Sequence, residues 1–275
     1  MKRIALIIIA LLCGAATWAQ TNQNITVYTE EDLRAAIEDG SKDIILFQSI
    51  YLSGTVEIPT GKTININLRS KTLNRSLDER DYDHGGQVIT VRKDATLNLS
   101  QCILTGGWGG DSGGILNEGG TVNLKNITIE RCSGDNRGGG IVNRSGGTLT
   151  MTGGAVTDNT SNDIKVHDSD TSGGGGIFNA EGGTITLTNV TIKGNEAVKY
   201  GGGGICNYGT LTLDGCTVQD NVAKMNGGGI WVGSEATLAL NNVSITGNTA
   251  GDNGGGIYAG HDIDVQGTKI GRAHV

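Results

Sequence analysis

Two polar stretches of the sequence gather carboxylate and imidazole side chains, the types that bind a hard cation. The first, residues 160–172, contains Asp163, His167, Asp168 and Asp170. A complete calcium site needs six to eight oxygen ligands, more than this stretch supplies. The same residues fit a solvated recognition loop that grows from one corner of a rigid fold. We therefore treat the four side chains as candidate binding residues and predict no metal centre.

The second stretch, residues 78–84, has the sequence Asp-Glu-Arg-Asp-Tyr-Asp-His. Its spacing matches no known metal motif, and the same is true of residues 160–172. We expect a second polar loop at this position and no cofactor. The sequence leaves open whether either loop binds a cation.

A third signal is a column of residues that each follow an isoleucine in a repeated unit. Its members are Leu116, Val142, Phe178, Cys206, Trp231 and Tyr258. If the isoleucines point inward, strand alternation turns this column outward. Phe178, Trp231 and Tyr258 would then form an exposed aromatic stripe that suits sugar rings or a protein partner. The alternative is that a neighbouring loop covers the stripe.

Catalytic machinery is not visible on the regular part of the chain. An acid, a base or a nucleophile must lie within mutual reach of its partner. The outward strand positions carry hydroxyl groups instead, as at Thr150, Thr186 and Thr212. A glycosidase pair needs two carboxyl groups roughly 5 to 9.5 Å apart, and the repeats offer none. We assign no catalytic residue.

The elements that position these residues are repeats that begin with glycines and an isoleucine. The clearest copies are GGGIVNRSGGTLTM from Gly138, GGGIFNAEGGTITL from Gly174, GGGICNYGTLTL from Gly202 and GGGIWVGSEATLAL from Gly227. The successive isoleucines are Ile115, Ile141, Ile177, Ile205, Ile230 and Ile257, at intervals of 26, 36, 28, 25 and 27 residues. A fixed period of this size is typical of a solenoid.

Between the glycines, each run is short, alternates with period two and is rich in Thr, Val, Ile and Leu, which predicts strands. Three runs per repeat give one coil, and stacked coils pair strands in parallel about 4.8 Å apart. The sequence therefore predicts an all-β fold, a right-handed parallel β-helix. Two columns of asparagines should form stacked structural ladders at its corners: Asn117, Asn143, Asn179 and Asn207, and Asn159, Asn195, Asn221 and Asn248.

The chain divides into four expected segments. Residues 1–19 match a secretory signal peptide, with a basic start, an apolar stretch and a small-residue end. Residues 20–43 form a cap with a short helix whose N-cap is Thr29. Residues 44–269 form the β-helix, with regular repeats from about residue 113. Residues 270–275 resemble a translated sequencing adapter, so we expect a non-native tail.

Charge and cysteine content narrow the class of protein. The net charge is −7 over 275 residues and becomes −9 without residues 1–19, which disfavours nucleic acid as a partner. The sequence has 47 glycines, which suit tight corners, and one proline. Proline is rare because the strands need their backbone N–H groups for hydrogen bonds between coils. Cys102 and Cys216 share one column but lie about four coils apart, beyond disulfide reach. We predict no disulfides.

The repeats resemble those of secreted β-helix proteins of the polymorphic outer-membrane-protein type, which are similar to autotransporter passengers. The hallmark of that type pairs GGA[I/L/V] with FxxN, and the resemblance covers roughly Gly113 to Tyr258. Here a third glycine replaces the alanine, and Phe178 is followed directly by Asn179. The resemblance implies display on the outer surface of a Gram-negative cell and a role in adhesion.

These observations together predict an exported, monomeric, non-catalytic scaffold on the cell surface or outside it. Its expected partners are glycans or proteins on a host or neighbouring surface, with no cofactor and no membrane-spanning segment. One alternative is a polysaccharide lyase or glycoside hydrolase of the pectin-lyase-like β-helix class. The other is a structural stalk that binds no ligand.

Overall fold

The computed structural model describes residues 24–40, 43–76, 86–162, 173–260, 264–266 and 269–270. This part of the chain contains one helix, α1 (Glu30–Glu38), and short strands. The strands are, in chain order, β1 (Ile25–Val27), β2 (Asp43–Leu46), β3 (Ile50–Tyr51), β4 (Val56–Ile58), β5 (Thr63–Asn74), β6 (Ile89–Val91), β7 (Thr96–Thr105), β8 (Trp108–Gly109), β9 (Ile115–Asn117), β10 (Thr121–Glu130), β11 (Ser133–Gly134), β12 (Ile141–Asn143), β13 (Thr148–Thr157), β14 (Thr160–Ser161), β15 (Ile177–Asn179), β16 (Thr184–Thr188), β17 (Thr191–Lys193), β18 (Glu196–Ala197), β19 (Ile205–Asn207), β20 (Thr210–Asp214), β21 (Thr217–Gln219), β22 (Val222–Ala223), β23 (Ile230–Val232), β24 (Thr237–Asn241), β25 (Ser244–Thr246), β26 (Thr249–Ala250), β27 (Ile257–Ala259), β28 (Asp264–Gln266) and β29 (Lys269–Ile270).

The strands stack into three parallel sheets, and each regular coil contributes to all three. Sheet A has 15 strands, sheet B has eight, from β4 to β27, and sheet C has six, from β8 to β26. Sheet A is the largest because each coil contributes either one long bent strand, such as β7, or two short ones, such as β16 and β17. The predicted parallel β-helix with three strands per coil is confirmed.

The helix α1 covers one end of the stacked coils. The Thr29 hydroxyl accepts a hydrogen bond from the Asp32 N–H, and the Asp32 carboxylate accepts one from the Thr29 N–H, both at 3.1 Å. This capping box satisfies two N–H groups that the first turn leaves without partners. Leu33, Ala36 and Ile37 are buried in the main core. The predicted capping helix, with Thr29 as its N-cap, is confirmed.

The anchor isoleucines form one interior file in sheet B. Ile141, Ile177, Ile205 and Ile230 pair in register from strand to strand, and each is fully buried. The file continues through Ile115 to two earlier positions outside the recognisable repeats, Ile89 and Val56. Continuous apolar stacking along this file is what makes the coils one hydrophobic core.

The repeated glycines serve two different physical needs. Gly174, the first of its triplet, has φ of +71°, which only glycine adopts at little cost. Gly175 has an ordinary φ, but a Cβ there would lie 2.4 Å from the Glu196 carbonyl carbon and 2.5 Å from the Gly203 carbonyl oxygen. The triplet therefore combines one left-handed corner with backbone-to-backbone contact between coils.

Among the described residues, Cys102, Cys132, Cys206 and Cys216 are buried and none forms a disulfide. Burial raises the pKa of Cys132 to about 12, and it raises the pKa values of Cys102 and Cys216 as well. These thiols therefore act as small apolar core groups with little thiolate at neutral pH.

Candidate functional site

Three aromatic side chains from successive coils stack on the outer face of sheet B. The Phe178 and Tyr208 ring centroids lie 5.6 Å apart, and the Tyr208 and Trp231 centroids lie 4.7 Å apart. Tyr258 is the register partner of Trp231 on the next strand. Phe178 is 2% exposed, whereas Tyr208, Trp231 and Tyr258 are half-buried. Tyr208 is therefore the accessible centre of the stack.

Beside this stack lies a groove of about 440 Å³, which we call the aromatic groove. Its lining consists of Arg137, Ser145, Phe178, Ala180, Glu181, Gly182 and Tyr208. The Arg137 guanidinium lies 5.2 Å from the centre of the Phe178 ring, within cation–π range. The groove thus combines aromatic faces with a hydroxyl group, a carboxylate and a guanidinium.

A chain of ion pairs runs from the aromatic groove across the neighbouring coils. Arg144 bridges Asp111 at 2.5 Å and Glu118 at 2.9 Å. Arg92 then joins Glu118 at 2.6 Å to Glu57 at 2.5 Å. At the groove end, Arg137 lies 3.8 Å from the same Asp111 carboxylate. Acidic and basic side chains thus alternate across successive coils, and the pairs are partly exposed to solvent.

Asp111 occupies the centre of this network. Burial opposes ionisation of the carboxyl group, but the hydrogen bond from Arg144 and the charges of Arg144 and Arg137 outweigh it, so the pKa of Asp111 is lowered. Asn136 adds a weak hydrogen bond at 3.5 Å. A carboxylate held ionised in this way is poorly suited to donate a proton. The network therefore suits a structural role, in which the carboxylate stays ionised, better than acid–base catalysis.

The predicted aromatic stripe is only partly exposed, which corrects one expectation. Leu116, Val142, Phe178 and Cys206 do point out of the main core, but they are buried in a second cluster with Ala180, Tyr208 and Trp231 against it. The physical cause is side-chain packing from neighbouring coils. The Tyr208 ring lies 5.6 Å from the Phe178 ring, and the Arg137 guanidinium lies 5.2 Å from it.

The other predicted binding residues, Asp163, His167, Asp168 and Asp170, lie outside the described residues, as do residues 78–84. Within the ranges that the structure describes, no three His, Cys, Asp or Glu side chains converge in a way that could hold a metal ion. The predictions about these two stretches stay predictions.

The two asparagine columns form buried ladders that hold the corners beside these sites. In the first ladder, Asn143 donates to Asn179 at 2.9 Å and Asn179 donates to Asn207 at 2.8 Å. The second ladder repeats this pattern at 2.9 to 3.0 Å through Asn159, Asn195, Asn221 and Asn248. The side chains in both are fully or almost fully buried, so their role is structural.

Sequence reasoning missed the column that builds most of the site. The residue three positions after Ile89, Ile115, Ile141, Ile177 and Ile205 is, coil by coil, Arg92, Glu118, Arg144, Ala180 and Tyr208, and glycine takes this place after Ile230 and Ile257. Its first three members form the ion pairs, and Ala180 and Tyr208 line the aromatic groove. The signal was available, because the offset from the isoleucine is constant and the residue types are not those of a core.

Comparison with known proteins gives one family match. Residues 242–260 match the Chlamydia polymorphic membrane protein repeat. The matched segment contains β25, β26 and β27, one strand from each sheet, together with Asn248 and the anchor Ile257. No curated protein and no solved structure matches the chain.

No helix among the described residues has the length and apolar character to cross a lipid bilayer. The repeat match and the three-sheet architecture agree, because the 19 matched residues contain one strand of each sheet. They point to an outer-membrane surface protein. The chain is a parallel β-helix repeat protein similar to the polymorphic membrane proteins.

Proposed function

We propose that this protein is an exported surface adhesin that binds glycans through the aromatic groove without transforming them. The observation that carries this proposal is the stack of Phe178, Tyr208 and Trp231 beside a groove with polar walls. Aromatic faces pack against the apolar faces of sugar rings, and polar groups at the rim accept or donate hydrogen bonds to the sugar hydroxyls. Ser145, Glu181 and Arg137 supply such groups.

The scaffold favours binding because it holds the groove rigid. Tyr208 follows Asn207 of the first buried ladder, and its N–H donates to the Asn179 carbonyl oxygen at 2.8 Å. Arg137 is positioned by both Asp111 and the Phe178 ring. A preorganised site loses little conformational entropy when a ligand binds. The ion pairs that fix Asp111 and Glu118 also support a binding role over a hydrolytic one.

Location supports the same proposal. The family match concerns a repeat of surface proteins, and the first 19 residues of the sequence predict export. A β-helix of stacked coils would hold the aromatic groove away from the cell, where glycans of a host or a neighbouring cell are accessible. Protein partners are the second expected class, and the experiment below separates them.

The test is a glycan array with the intact protein and its Tyr208→Ala variant. We expect the wild type to bind a defined set of glycans and Tyr208→Ala to lose about tenfold in affinity, because stacking of this kind contributes on the order of 1 kcal/mol or more. Tyr208→Trp, which keeps an aromatic face, should retain binding. Tyr51→Ala is the matched control, since Tyr51 is 72% exposed and lies in the first coils.

Three results would contradict the proposal. The first is the absence of glycan binding by the wild type, which would leave a protein partner or a structural stalk. The second is unchanged binding by Tyr208→Ala at an unchanged melting temperature. The third is release of reducing ends or unsaturated sugars from a bound polysaccharide, which would show an enzyme.

A further inference from the structure

A row of polar side chains crosses the outer face of sheet A, away from the aromatic groove. Asp43, Asn65, Asn98, Asn123 and Thr150 occupy one register position on the successive strands β2, β5, β7, β10 and β13. We call this row the outer amide ladder. Its members are half-buried, and the next residue along each strand points into the core. The row therefore lies on the solvent side of the sheet.

Hydrogen bonds fix every side chain of the outer amide ladder. Asn65 Nδ2 donates to Asp43 Oδ1 at 2.9 Å, and Asn98 Nδ2 donates to Asn65 Oδ1 at 2.7 Å. Asn123 Nδ2 donates to Asn98 Oδ1, and Thr150 Oγ1 donates to Asn123 Oδ1, both at 2.7 Å. Each of these side chains donates to its neighbour on the preceding coil. The hydrogen bonds therefore order the side chains before any ligand binds.

The ladder leaves a repeating pair of hydrogen-bonding groups. A primary amide has two N–H donors and an oxygen with two lone pairs. Asn65, Asn98 and Asn123 each use one N–H and one lone pair within the ladder. One donor and one acceptor per residue are left for a ligand. They recur at the strand spacing of about 4.8 Å.

A shallow groove of about 670 Å³ surrounds the ladder. A second polar row runs parallel to it in register, formed by Asn67, Ser100, Lys125 and Thr152. Among the described residues that line the groove, Asp43 and Lys125 are the only charged side chains and none is aromatic. The surface is therefore long, polar, nearly neutral and periodic along the axis of the coils.

The polar, nearly neutral and periodic character of this groove favours one class of partner. A nucleic acid needs a row of cations, which the groove lacks. A protein interface depends on aromatic or large apolar anchors at its centre, and no aromatic ring is among the described residues that line the groove. An extended β-1,4-linked glycan matches the repeat of the coils, because it carries hydroxyl groups along its edges and advances per sugar by a distance close to the strand spacing.

We propose that the outer amide ladder binds a neutral, extended β-linked polysaccharide that lies along the axis of the β-helix, about one sugar per coil. The binding requires no catalytic step. The proposal extends the glycan-binding role to a second site, and it rests on residues that do not belong to the aromatic groove. Either site can fail without the other.

Chain length gives the first test, with the intact protein and cello-, manno- and xylo-oligosaccharides of two to six sugars. Five rungs span roughly 19 Å. We expect affinity for at least one series to rise with each added sugar and to level off at about five. No binding of any series, or an affinity that does not depend on length, would overturn the proposal. Equal affinity for charged oligogalacturonides would overturn the neutral specificity.

Substitution gives the second test. The double variant Asn98→Val with Asn123→Val keeps a strand-compatible shape but removes two donor–acceptor pairs. It should bind the same oligosaccharide about tenfold more weakly, the loss expected for about two net hydrogen bonds. The matched control, Thr191→Val with Thr217→Val, alters two half-buried register partners on β17 and β21 and should bind as the wild type does.

A third variant covers the case in which the double variant fails to fold. Ser100→Trp leaves the outer amide ladder intact and fills the groove beside it, so binding should again be lost. Thr217→Trp places the same bulky ring at a half-buried position of sheet A that does not line this groove, and it should not change binding of these oligosaccharides. If Ser100→Trp binds as the wild type does, or if Thr217→Trp weakens binding as much as Ser100→Trp does, the assignment to the outer amide ladder is wrong.

Discussion

Buried amide groups are the residue-scale feature on which the corners of this protein depend. Asn179 accepts a hydrogen bond from Asn143 and donates to Asn207, and its Nδ2 also lies 3.3 Å from the Gly183 carbonyl oxygen. A buried polar group without a partner costs more than a typical hydrogen bond contributes, so a ladder is stable only when it is complete. Each asparagine therefore depends on the coils above and below it.

Replacing Asn179 with Ala should lower the free energy of unfolding by about 3 kcal/mol. The change removes one buried hydrogen bond from Asn143 Nδ2, which keeps the Gly147 carbonyl oxygen, and one from Asn207 Oδ1, which keeps the Gly209 N–H. It also leaves a cavity at the Asn179 position. Denaturant unfolding measures the difference. Thr186→Ala, on the outer face of the next strand, should change stability by less than about 1 kcal/mol. Equal effects of the two substitutions would show that the ladder is not a stabilising element.

The lowered pKa of Asp111 predicts how the free energy of unfolding depends on pH. Its pKa is lowered in the folded protein by Arg144 and Arg137 despite burial, so its contribution is present above the unfolded value of about 4 and is lost as the pH falls below it. Asp111→Asn should lower stability at pH 7 and flatten the decline below about pH 4. Urea unfolding between pH 7 and pH 3 checks this. A wild type and a variant with parallel pH profiles would contradict it.

At the scale of the element, one coil consists of strands from the three sheets. The corners that join these strands differ in the residues that form them. The glycine triplet is the tightest corner, because backbones of neighbouring coils touch there. The corner within sheet A instead uses single residues with positive φ, such as Gln101, Asn126 and Asn189. Met151, Leu187, Leu213 and Leu240 each precede a ladder asparagine by eight residues, and a corner of constant geometry explains this constant spacing.

The central glycine of a triplet should be the least replaceable. Gly175→Ala places a Cβ within 2.5 Å of backbone atoms of two other segments and should cost more than about 3 kcal/mol or prevent folding. Gly110→Ala is the matched control, since no atom lies within 4 Å of a Cβ there and its φ is not positive. It should stay within about 0.5 kcal/mol of the wild type, as measured by thermal unfolding.

The regular elements could be predicted from the sequence because their constraints repeat. The anchor isoleucines, the asparagine ladders and α1 each follow from a period or from a capping pattern. The aromatic groove could not be predicted in full, because alternation indicates that Phe178 points away from the core but not that Tyr208 and Arg137 pack against it. Tyr208 and Arg144 were identifiable only by comparing the same offset across coils.

At the scale of the whole molecule, the β-helix separates two outer faces with different chemistry. Sheet B carries the aromatic groove and its ion pairs, and sheet A carries the outer amide ladder. Both depend on the same stacking of coils, because the members of each site on successive coils are 22 to 36 positions apart in sequence. An error of one coil or one residue in register would dismantle both sites together.

Both sites therefore depend on the register between coils, and engineered cross-linking measures that register. Thr184 and Thr210 are exposed register partners on β16 and β20, so the pair Thr184→Cys with Thr210→Cys should form a disulfide on mild oxidation. Thr148→Cys with Thr210→Cys spans two coils, roughly 10 Å, and should not. Peptide mapping by mass spectrometry that finds the first cross-link alone agrees with the account. Absence of the first cross-link, or equal formation of both, would contradict it.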